Sequence, residues 1–277
     1  MSASDSWQGK TIVITGASSG IGEEAAKQLA AKGAVVCLVA RRADELARVA
    51  SEITAAGGVA HCYSANLAEN DSVDSLVAAL LKNHARLDVL VNNAGRSIRR
   101  PLTESLDRPH DFERTIQLNY LALVRLTLGV LPRMLEQGDG HIINVSSVAA
   151  LMTTPRFAAY QASKSAVDAF SRSLRIELAE KGIAVTSINY PLVKTAMTAP
   201  TAVYKYLPQM EVSDAARWIV EAIATRPARR TIRTALVFHI ATIVMPGPAL
   251  KLLAGFYARR VNKLRKKVEA EARANAQ

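Results

Sequence analysis

Residues 11–22 read TIVITGASSGIG, an apolar run followed by a glycine-rich turn and by a helical pattern that continues through Ala31. The apolar run predicts a buried strand. In a strand–turn–helix unit, glycines let the backbone approach a pyrophosphate, and the helix amino terminus presents free N–H groups to it. A glycine cluster alone also suits an ordinary tight turn, but this placement favours nucleotide binding. The candidate binding residues are Gly16, Ser18, Ser19, Gly20, Ile21 and Gly22.

The next apolar run, residues 35–40, predicts a second strand that ends at Arg41 and Arg42. In nucleotide-binding folds of this kind, the end of this strand meets the adenosine ribose. An acidic residue there binds the 2′-hydroxyl of NAD, whereas an arginine accommodates the 2′-phosphate of NADP. No acidic residue follows this strand before Asp44. The sequence therefore predicts NADPH as the cofactor, although two arginines could also simply cap a surface loop.

Strand and helix patterns alternate along the rest of the chain. Runs at residues 59–65, 87–91 and 141–145 predict strands, and residues 43–56 and 70–83 predict helices between them. This alternation predicts an α/β fold with one doubly wound parallel sheet and helices on both faces. Ligands of such sheets bind beyond the carboxyl ends of the strands.

Tyr160 and Lys164 stand four residues apart in a helical pattern, so both side chains lie on one face. A nearby ammonium favours the phenolate and is expected to lower the tyrosine pKa, which would suit a general acid or base. Ser147 follows the strand predicted at residues 141–145, at the edge of the sheet where ligands bind. Taken alone, a tyrosine and a lysine at this spacing are more often merely solvated or packed.

Asn119 shares a predicted helical face with Ile116, Tyr120 and Leu123, and therefore points inward. A buried asparagine needs hydrogen-bond partners. It could serve a catalytic site, or it could only tie two helices together.

Together, these motifs resemble those of the short-chain dehydrogenase/reductase family and occur in the order and spacing of that family. The resemblance covers roughly residues 8–200. The resemblance implies a Rossmann-type fold, a Ser147–Tyr160–Lys164 triad supported by Asn119, and a nicotinamide cofactor. It also implies that Asn119 holds a water, that Lys164 binds the nicotinamide ribose, and that the protein is a homodimer or homotetramer. The further cofactor contacts that it implies are Asn66, Leu67, Asn93, Ala94, Gly95, Pro191, Val193 and Thr195.

Two positions depart from the family pattern. Asn66 stands where the family usually has an aspartate that contacts the adenine, and Tyr190-Pro191 replaces the usual Pro-Gly pair. An amide oxygen can still accept a hydrogen bond, so Asn66 is kept as a candidate.

Two long stretches, residues 92–120 and 191–208, resemble a subgroup of the family, the bacterial aldehyde-forming fatty acyl-CoA reductases. A predicted substrate lid at about residues 190–212 suits a long acyl chain, or it packs on the protein's own core. Its apolar members are Met197, Val203, Tyr204, Tyr206, Leu207 and Met210. Arg96, Arg99 and Arg100 could meet CoA phosphates, form a solvated face, or pair with Glu104 and Asp107.

The predicted function is therefore an NADPH-dependent reductase that transfers hydride to a carbonyl, with fatty acyl-CoA reduction to the aldehyde as the leading hypothesis. Reduction of a ketone or aldehyde, or oxidation of an alcohol, would use the same four residues. A non-catalytic NADP-binding scaffold is a more remote alternative. No metal site is expected, and nucleic-acid binding is disfavoured because the basic segment has few aromatic residues.

Composition and charge bound the remaining possibilities. Residues 1–10 lack the apolar core of a signal peptide, and no run of 18 apolar residues exists that would span a membrane. Cys37 and Cys62 lie in apolar, strand-like runs and are expected to be buried, reduced thiols. These features together predict a cytoplasmic protein. The net charge of +11 is concentrated late in the chain, since residues 223–267 contain no Asp or Glu. We predict a catalytic domain at residues 1–230 and an apolar, basic and helical extension at residues 231–277 packed on it. Weak peripheral membrane contact through that extension is a hypothesis.

Overall fold

The computed structural model describes residues 7–256 together with residues 258, 259 and 263. Within that part of the chain, strands and helices alternate as the sequence predicts. The strands are β1 (Thr11–Thr15), β2 (Val35–Ala40), β3 (Val59–Ser64), β4 (Val89–Asn92), β5 (Gly140–Ser147), β6 (Ile183–Tyr190) and β7 (Arg229–Arg230). The helices are α1 (Gly20–Ala30), α2 (Ala43–Ala55), α3 (Asn70–Asn83), α4 (Pro109–Ile116), α5 (Ala122–Gln137), α6 (Ala158–Glu177), α7 (Val212–Thr225) and α8 (Arg233–Val244).

The described strands form one parallel sheet with the order β3-β2-β1-β4-β5-β6-β7. The chain leaves β1 toward β3 on one side and returns to β4 on the other. The strand order therefore reverses between β1 and β4, and the prediction of a doubly wound sheet is confirmed. A reversal of this kind opens a crevice at the carboxyl ends of the two strands.

Helices cover both faces of the sheet because successive strand residues point to opposite sides. On β1, Ile12 and Ile14 join a core with residues of α1, α2 and α7, whereas Val13 joins a second core with residues of α3, α5 and α6. Burying an isoleucine or leucine completely contributes roughly 1.5–3 kcal/mol to folding. The two apolar layers hold the sheet and fix the strand ends that carry the site.

The helix over residues 109–137 is continuous but contains one π-helical turn, Gln117–Leu121, between α4 and α5. By length and mean hydropathy alone this helix could cross a membrane, although it contains no run of 18 apolar residues. Leu126, Val130 and Met134 of α5 are nevertheless fully buried against the sheet, as in the core helix of a globular domain. The π turn matters for the site because it contains Asn119.

The end of the described chain is helical, as predicted. After α8, a second helix runs over residues 246–256, which we call the terminal helical segment. Pro246 begins it, because a proline is tolerated in the first turn but ends the preceding helix. Arg260 and residues 264–277, which carry much of the predicted basic extension, lie outside the described residues.

The expectation of two buried thiols is half right. Cys37 on β2 is buried, and burial raises the pKa of its thiol to about 12. Cys62 is exposed because β3 is the edge strand of the sheet, and none of its residues is fully buried. The prediction was wrong for Cys62 because a strand-like run in the sequence does not show that the strand lies at the edge of the sheet.

Candidate active site

A cleft of about 1730 Å³ opens at the carboxyl ends of the strands. It brings together the residues that the sequence predicted to bind a cofactor or to act in catalysis, with two exceptions, Gly22 and Asn119. The predicted residues that line it are Gly16, Ser18, Ser19, Gly20, Ile21, Arg41, Arg42, Asn66, Leu67, Asn93, Ala94, Gly95, Ser147, Tyr160, Lys164, Pro191, Val193 and Thr195.

The glycine-rich turn between β1 and α1 has the shape of a phosphate cradle. Gly16 and Gly20 adopt left-handed φ angles of +69° and +59°, which side chains rarely allow. Ser19 precedes α1 but makes no side-chain hydrogen bond to it, so the first N–H groups of the helix are not capped by that side chain. Uncapped N–H groups at a helix amino terminus attract anions. The turn therefore fits a pyrophosphate.

Gly22 has a packing role and does not line the cleft. A Cβ at this position would lie 2.4 Å from the Gly16 carbonyl oxygen and 2.6 Å from Asn93 Nδ2. The absence of a side chain lets α1 approach the turn and the loop after β4. Gly22 thus supports the cradle from behind.

The end of β2 supplies a cationic subsite beside the cradle. Arg42 Nη2 lies 3.4 Å from the Ser18 hydroxyl, and Arg41 lines the same part of the cleft. Both arginines are exposed, and Glu45 lies 3.9 Å from the Arg42 guanidinium. A hydroxyl and a guanidinium side by side suit a phosphate rather than a ribose hydroxyl.

The loop after β4 is fixed to the glycine-rich turn by Thr15. Its hydroxyl oxygen accepts hydrogen bonds from the N–H groups of Asn93 and Ala94, both at 2.9 Å, and the Asn93 amide donates to the Thr15 carbonyl at 2.9 Å. The ends of β1 and β4, where the strand order reverses, are thus joined by hydrogen bonds.

Asn66 also lines the cleft, where its Oδ1 accepts a 3.3 Å hydrogen bond from the Ala68 N–H.

Ser147 is the last residue of β5, and its hydroxyl is hydrogen-bonded to that of Tyr160 on α6. Ser147 Oγ also accepts a 3.1 Å hydrogen bond from the Ala149 N–H, which orients it. Burial raises the pKa of Tyr160, and the hydrogen bond with Ser147 opposes that effect. The expectation that Lys164 lowers the Tyr160 pKa is therefore wrong for this structure. Lys164 Nζ lies 6.0 Å from the centre of the tyrosine ring.

Lys164 is almost entirely buried, at 4% exposure, and its Nζ donates a 2.8 Å hydrogen bond to the Val145 carbonyl. Burial lowers the pKa of its ammonium to about 8. The group is thus still mainly protonated at pH 7. A buried ammonium that has three N–H donors can bind further oxygen atoms in the cleft, such as ribose hydroxyls.

Asn119 lies behind the cleft with 1% exposure. Its Oδ1 accepts a 2.8 Å hydrogen bond from the Arg96 N–H, and its Nδ2 donates to the Arg96 carbonyl and to Ser163 Oγ, both at 2.9 Å. The amide therefore joins the loop after β4 to α6, the helix that carries Tyr160 and Lys164. It positions this part of the site, and the water that the family resemblance implies at Asn119 stays a prediction.

The predicted lid contributes an apolar wall. Met197, Val203, Tyr204 and Leu207 line the cleft, whereas Tyr206 and Met210 do not, and Met210 packs against the core. The ends of the lid are joined, since Lys194 N–H donates to Met210 O at 3.0 Å. Part of the predicted apolar stretch therefore anchors the lid and part faces the cleft.

Sequence reasoning missed several residues that line the cleft. Met152 and Phe157 come from the connection between β5 and α6, and Ile232, Leu250 and Leu253 come from the end of the described chain. Their periodicity is that of any apolar segment, so the sequence carried no signal that they would face the site.

The three arginines after β4 separate into two groups. Arg96 and Arg99 line the cleft and are half-buried, and in the described part of the chain neither guanidinium forms an ion pair with a carboxylate. Arg100 instead pairs with Asp111 at 3.3 Å, not with Glu104 or Asp107. Two cations thus remain available in the cleft. Within the residues described, no cluster of three or more His, Cys, Asp or Glu side chains could hold a metal ion.

Comparison with known proteins agrees with this geometry. Residues 10–203 match the family model described as short chain dehydrogenase. A fatty acyl-CoA reductase of Acinetobacter baylyi is 50% identical over 222 residues, which cover 80% of this chain and 75% of that protein. A fatty acyl-CoA reductase of Mycobacterium tuberculosis is 48% identical over 239 residues, covering 86% of this chain and 81% of that protein. The crystal structure of a metagenomic short-chain oxidoreductase in complex with NADP is similar, with a TM-score of 0.71 and 30% identity, over 82% of this chain and 98% of that one.

Proposed function

The chain belongs to the short chain dehydrogenase family and is an oxidoreductase of that family, and we propose that it uses NADPH to reduce a fatty acyl-CoA to a fatty aldehyde. The two relatives that carry the name fatty acyl-CoA reductase match most of this chain and support this substrate class. The similar short-chain oxidoreductase in complex with NADP supports the cofactor, as does the Ser18–Arg42 subsite.

The observation that carries the proposal is the composition of the cleft around Tyr160. Apolar side chains of Met152, Met197, Val203 and Leu207 line it together with the hydroxyl groups of the proton-donating pair. Long, flexible methionine side chains adapt to an acyl chain of variable shape. A cleft for a small polar ketone would not need an apolar wall of this extent.

The free guanidinium groups of Arg96 and Arg99 support a thioester of CoA over a neutral carbonyl compound. They line the same cleft and form no ion pair with a carboxylate of the described chain. Arginine binds phosphate through paired, charge-assisted hydrogen bonds. The phosphates of CoA are the anionic groups that such a substrate would present.

The reacting groups of the chain act on the carbonyl oxygen of the substrate. NADPH, when bound, supplies the hydride. Tyr160, which burial keeps protonated at neutral pH, donates the proton to that oxygen, and Ser147 stabilises the charge that develops there. The Lys164 ammonium, held by the Val145 carbonyl, would bind the nicotinamide ribose of that cofactor. Asn119 fixes the Arg96 loop and α6, which keeps these groups in register.

Reduction of a thioester by one hydride and one proton gives a hemithioacetal. Its collapse breaks the C–S bond, releases CoA as the free thiol and leaves the aldehyde. Neither Cys37 nor Cys62 is among the described residues that line the cleft, so we propose that no acyl group is transferred to the enzyme.

The test is NADPH consumption with a panel of acyl-CoAs, aldehydes and ketones, with free thiol measured in the same samples. One CoA released for each NADPH consumed supports the proposal. Turnover of ketones or aldehydes with no release of CoA from any thioester would instead identify a carbonyl reductase. NADPH binding without turnover of any compound would identify a non-catalytic scaffold.

A double variant tests the part of the substrate that the arginines bind. Arg96→Ala with Arg99→Ala should raise KM for an acyl-CoA by roughly tenfold or more, since each lost charged hydrogen bond weakens binding. KM for a long-chain aldehyde, which lacks the CoA phosphates, should change little. Replacement of Arg100, whose side chain is engaged by Asp111, is the matched control. Equal effects on both substrates would show that these arginines do not recognise CoA.

A further inference from the structure

Helix α8 presents apolar side chains to solvent over most of its circumference. Val237, Ile240, Ile243 and Val244 are between 59% and 70% exposed, and Ala235 is the buried residue of this helix. Met245 and Leu252 continue the exposed apolar surface into the terminal helical segment. An exposed apolar area of this kind marks an interaction site rather than an ordinary surface. We call it the α8 surface.

The α8 surface is continuous with the wall of the cleft. Leu250, Leu253 and Ala254 of the terminal helical segment line the cleft, while Leu252 of the same segment faces solvent. Ile232, immediately before α8, also lines the cleft. The same short stretch of chain thus forms both the outer apolar surface and one wall of the site.

The stretch of chain that carries this surface is basic, and no acidic residue occurs near it in the sequence. Residues 223–267 contain no Asp or Glu. Arg226, Arg229 and Arg230 are neutralised by carboxylates of other elements. The other basic residues of the stretch are Arg233, Lys251, Arg259, Arg260, Lys263, Arg265, Lys266 and Lys267. Of these, Arg233, Lys251, Arg259 and Lys263 are described, are exposed, and form no ion pair within the described chain.

We propose that the α8 surface docks the protein on the surface of an anionic lipid bilayer. Apolar helices flanked by cations insert shallowly at the boundary between headgroups and acyl chains. A symmetric contact with a second copy would place the same cations against one another, since the two partners of a two-fold interface use the same patch. In a bilayer, the phosphate headgroups instead neutralise these cations, and the acyl chains beneath the headgroups take up the apolar side chains.

Docking in this orientation has a consequence that rests on the proposed function. The terminal helical segment would lie between the bilayer and the cleft, with Leu250 and Leu253 on the cleft side. An acyl chain could then pass between lipid and site along a continuous apolar path. The docking itself does not depend on the substrate, so it can be tested without turnover.

The experiment is co-sedimentation of the full chain with vesicles, without substrate or cofactor. Vesicles of phosphatidylcholine alone are compared with vesicles that also contain phosphatidylglycerol, at low and high salt. We expect binding to the anionic vesicles that weakens with salt. Replacing Lys251, Arg259 and Lys263 with glutamine should weaken it by about fivefold for each cation removed.

A second variant distinguishes docking through the α8 surface from nonspecific adsorption to vesicles. Ile240→Ser, Ile243→Ser and Val244→Ser together should abolish binding to anionic vesicles, while leaving NADPH binding and the circular dichroism spectrum unchanged. The matched control is Ile176→Ser with Leu106→Ser, which removes apolar groups elsewhere that are even more exposed, and it should keep vesicle binding. Absence of vesicle binding by the parent chain at low salt would overturn the proposal. So would a fall in oligomer mass in the α8 variant without loss of vesicle binding, which would identify a contact between subunits.

Discussion

Tyr160 is poised to give up a proton rather than to accept one. Burial raises its pKa, and the Ser147 hydroxyl partly offsets the effect, so the phenol stays protonated at neutral pH. This state suits the reductive direction, in which the developing oxyanion needs a proton. Lys164, with its pKa lowered to about 8, keeps a positive charge nearby at pH 7 without forming a direct ion pair.

The first prediction at this scale is that Tyr160→Phe lowers turnover by at least ~100-fold, the usual contribution of a positioned proton donor. NADPH affinity, measured by fluorescence titration, should be nearly unchanged because the ring remains. Tyr63→Phe is the control, since it removes a hydroxyl that bonds to His84 away from the cleft. Near-normal turnover in the Tyr160 variant would contradict the proton-donor role.

A second prediction concerns the arginines that end β2. Arg41→Ala with Arg42→Ala should weaken NADPH by about 1.5–3 kcal/mol, roughly 10- to 100-fold in Kd, and NADH much less. The physical reason is that the 2′-phosphate is present in NADPH alone. Arg48→Ala is the control, because its guanidinium is already occupied by Glu23, Glu45 and Glu52. Equal weakening of the two cofactors would rule out recognition of the phosphate.

At the scale of the element, β5 contains a histidine whose protonation the fold resists. His141 is fully buried, and its Nε2–H donates a 2.9 Å hydrogen bond to Thr186 Oγ1, which itself donates to the Pro227 carbonyl. Nδ1 is buried without a partner in the described part of the chain. A proton at Nδ1 would add an unpaired charge inside the sheet. Burial accordingly lowers the pKa of His141 to about 3.

The consequence is a loss of stability in mild acid. An unfolded histidine has a pKa of about 6.5, so between pH 6.5 and 3 the unfolded chain binds a proton that the folded chain does not. The contribution of neutral His141 to the free energy of unfolding is therefore fully present above about pH 6.5. It falls by about 1.4 kcal/mol for each pH unit below that value. Urea unfolding should show about 2 kcal/mol less stability at pH 5 than at pH 7. His141→Gln should remove most of that difference, and an equal difference in both proteins would contradict the assignment.

The regular elements could be predicted from the sequence because their apolar patterns are long and end at clear signals. β2 and α3 have the predicted bounds, and α2 ends one residue early, before the Gly57-Gly58 pair. The predicted strand at residues 87–91 is displaced from β4, and the predicted strand at residues 141–145 is shorter than β5. β5 extends to Ser147 because it pairs with β6 along its whole length, a contact between distant parts of the chain. The edge position that exposes Cys62 is likewise a tertiary property.

The site was predictable to the extent that short motifs define it. Motif spacing predicted the residues of the cradle, the Ser147–Tyr160 pair and Lys164. It could not predict that Lys164 would bond to the Val145 carbonyl, or that the Asn119 side-chain N–H groups would donate to the Arg96 carbonyl and to Ser163 Oγ. These contacts depend on how α6 and the π turn approach the strand ends. Burial then decides the sign of the Tyr160 pKa shift.

At the scale of the whole molecule, the described chain exposes two separate apolar surfaces. The first is the α8 surface, which is bordered by cations. The second is a stripe on α5 and the preceding π turn, formed by Leu121, Leu128 and Leu135, which are 45%, 54% and 41% exposed. Their spacing of seven residues places them on one helical face. The stretch that carries the first surface has exposed cations without an ion pair in the described chain, whereas Arg125, beside the stripe, is already paired with Asp74.

We predict that the leucine stripe is the contact between subunits in the homo-oligomer that the family resemblance implies. Two copies related by a two-fold axis would pack their stripes against each other and bury all three leucines without opposing unpaired charges. Light scattering after gel filtration should give a multiple of the 29.8 kDa chain mass for the parent protein.

Leu128→Glu should shift the mass toward that of the single chain, because two carboxylates would face each other across the axis. Leu106→Glu, which changes an 85% exposed leucine outside the stripe, is the matched control and should keep the parent mass. The serine variants of Ile240, Ile243 and Val244 should also keep it. A parent protein that is monomeric at micromolar concentration would contradict the subunit contact. An unchanged mass in Leu128→Glu would instead move the contact to another face.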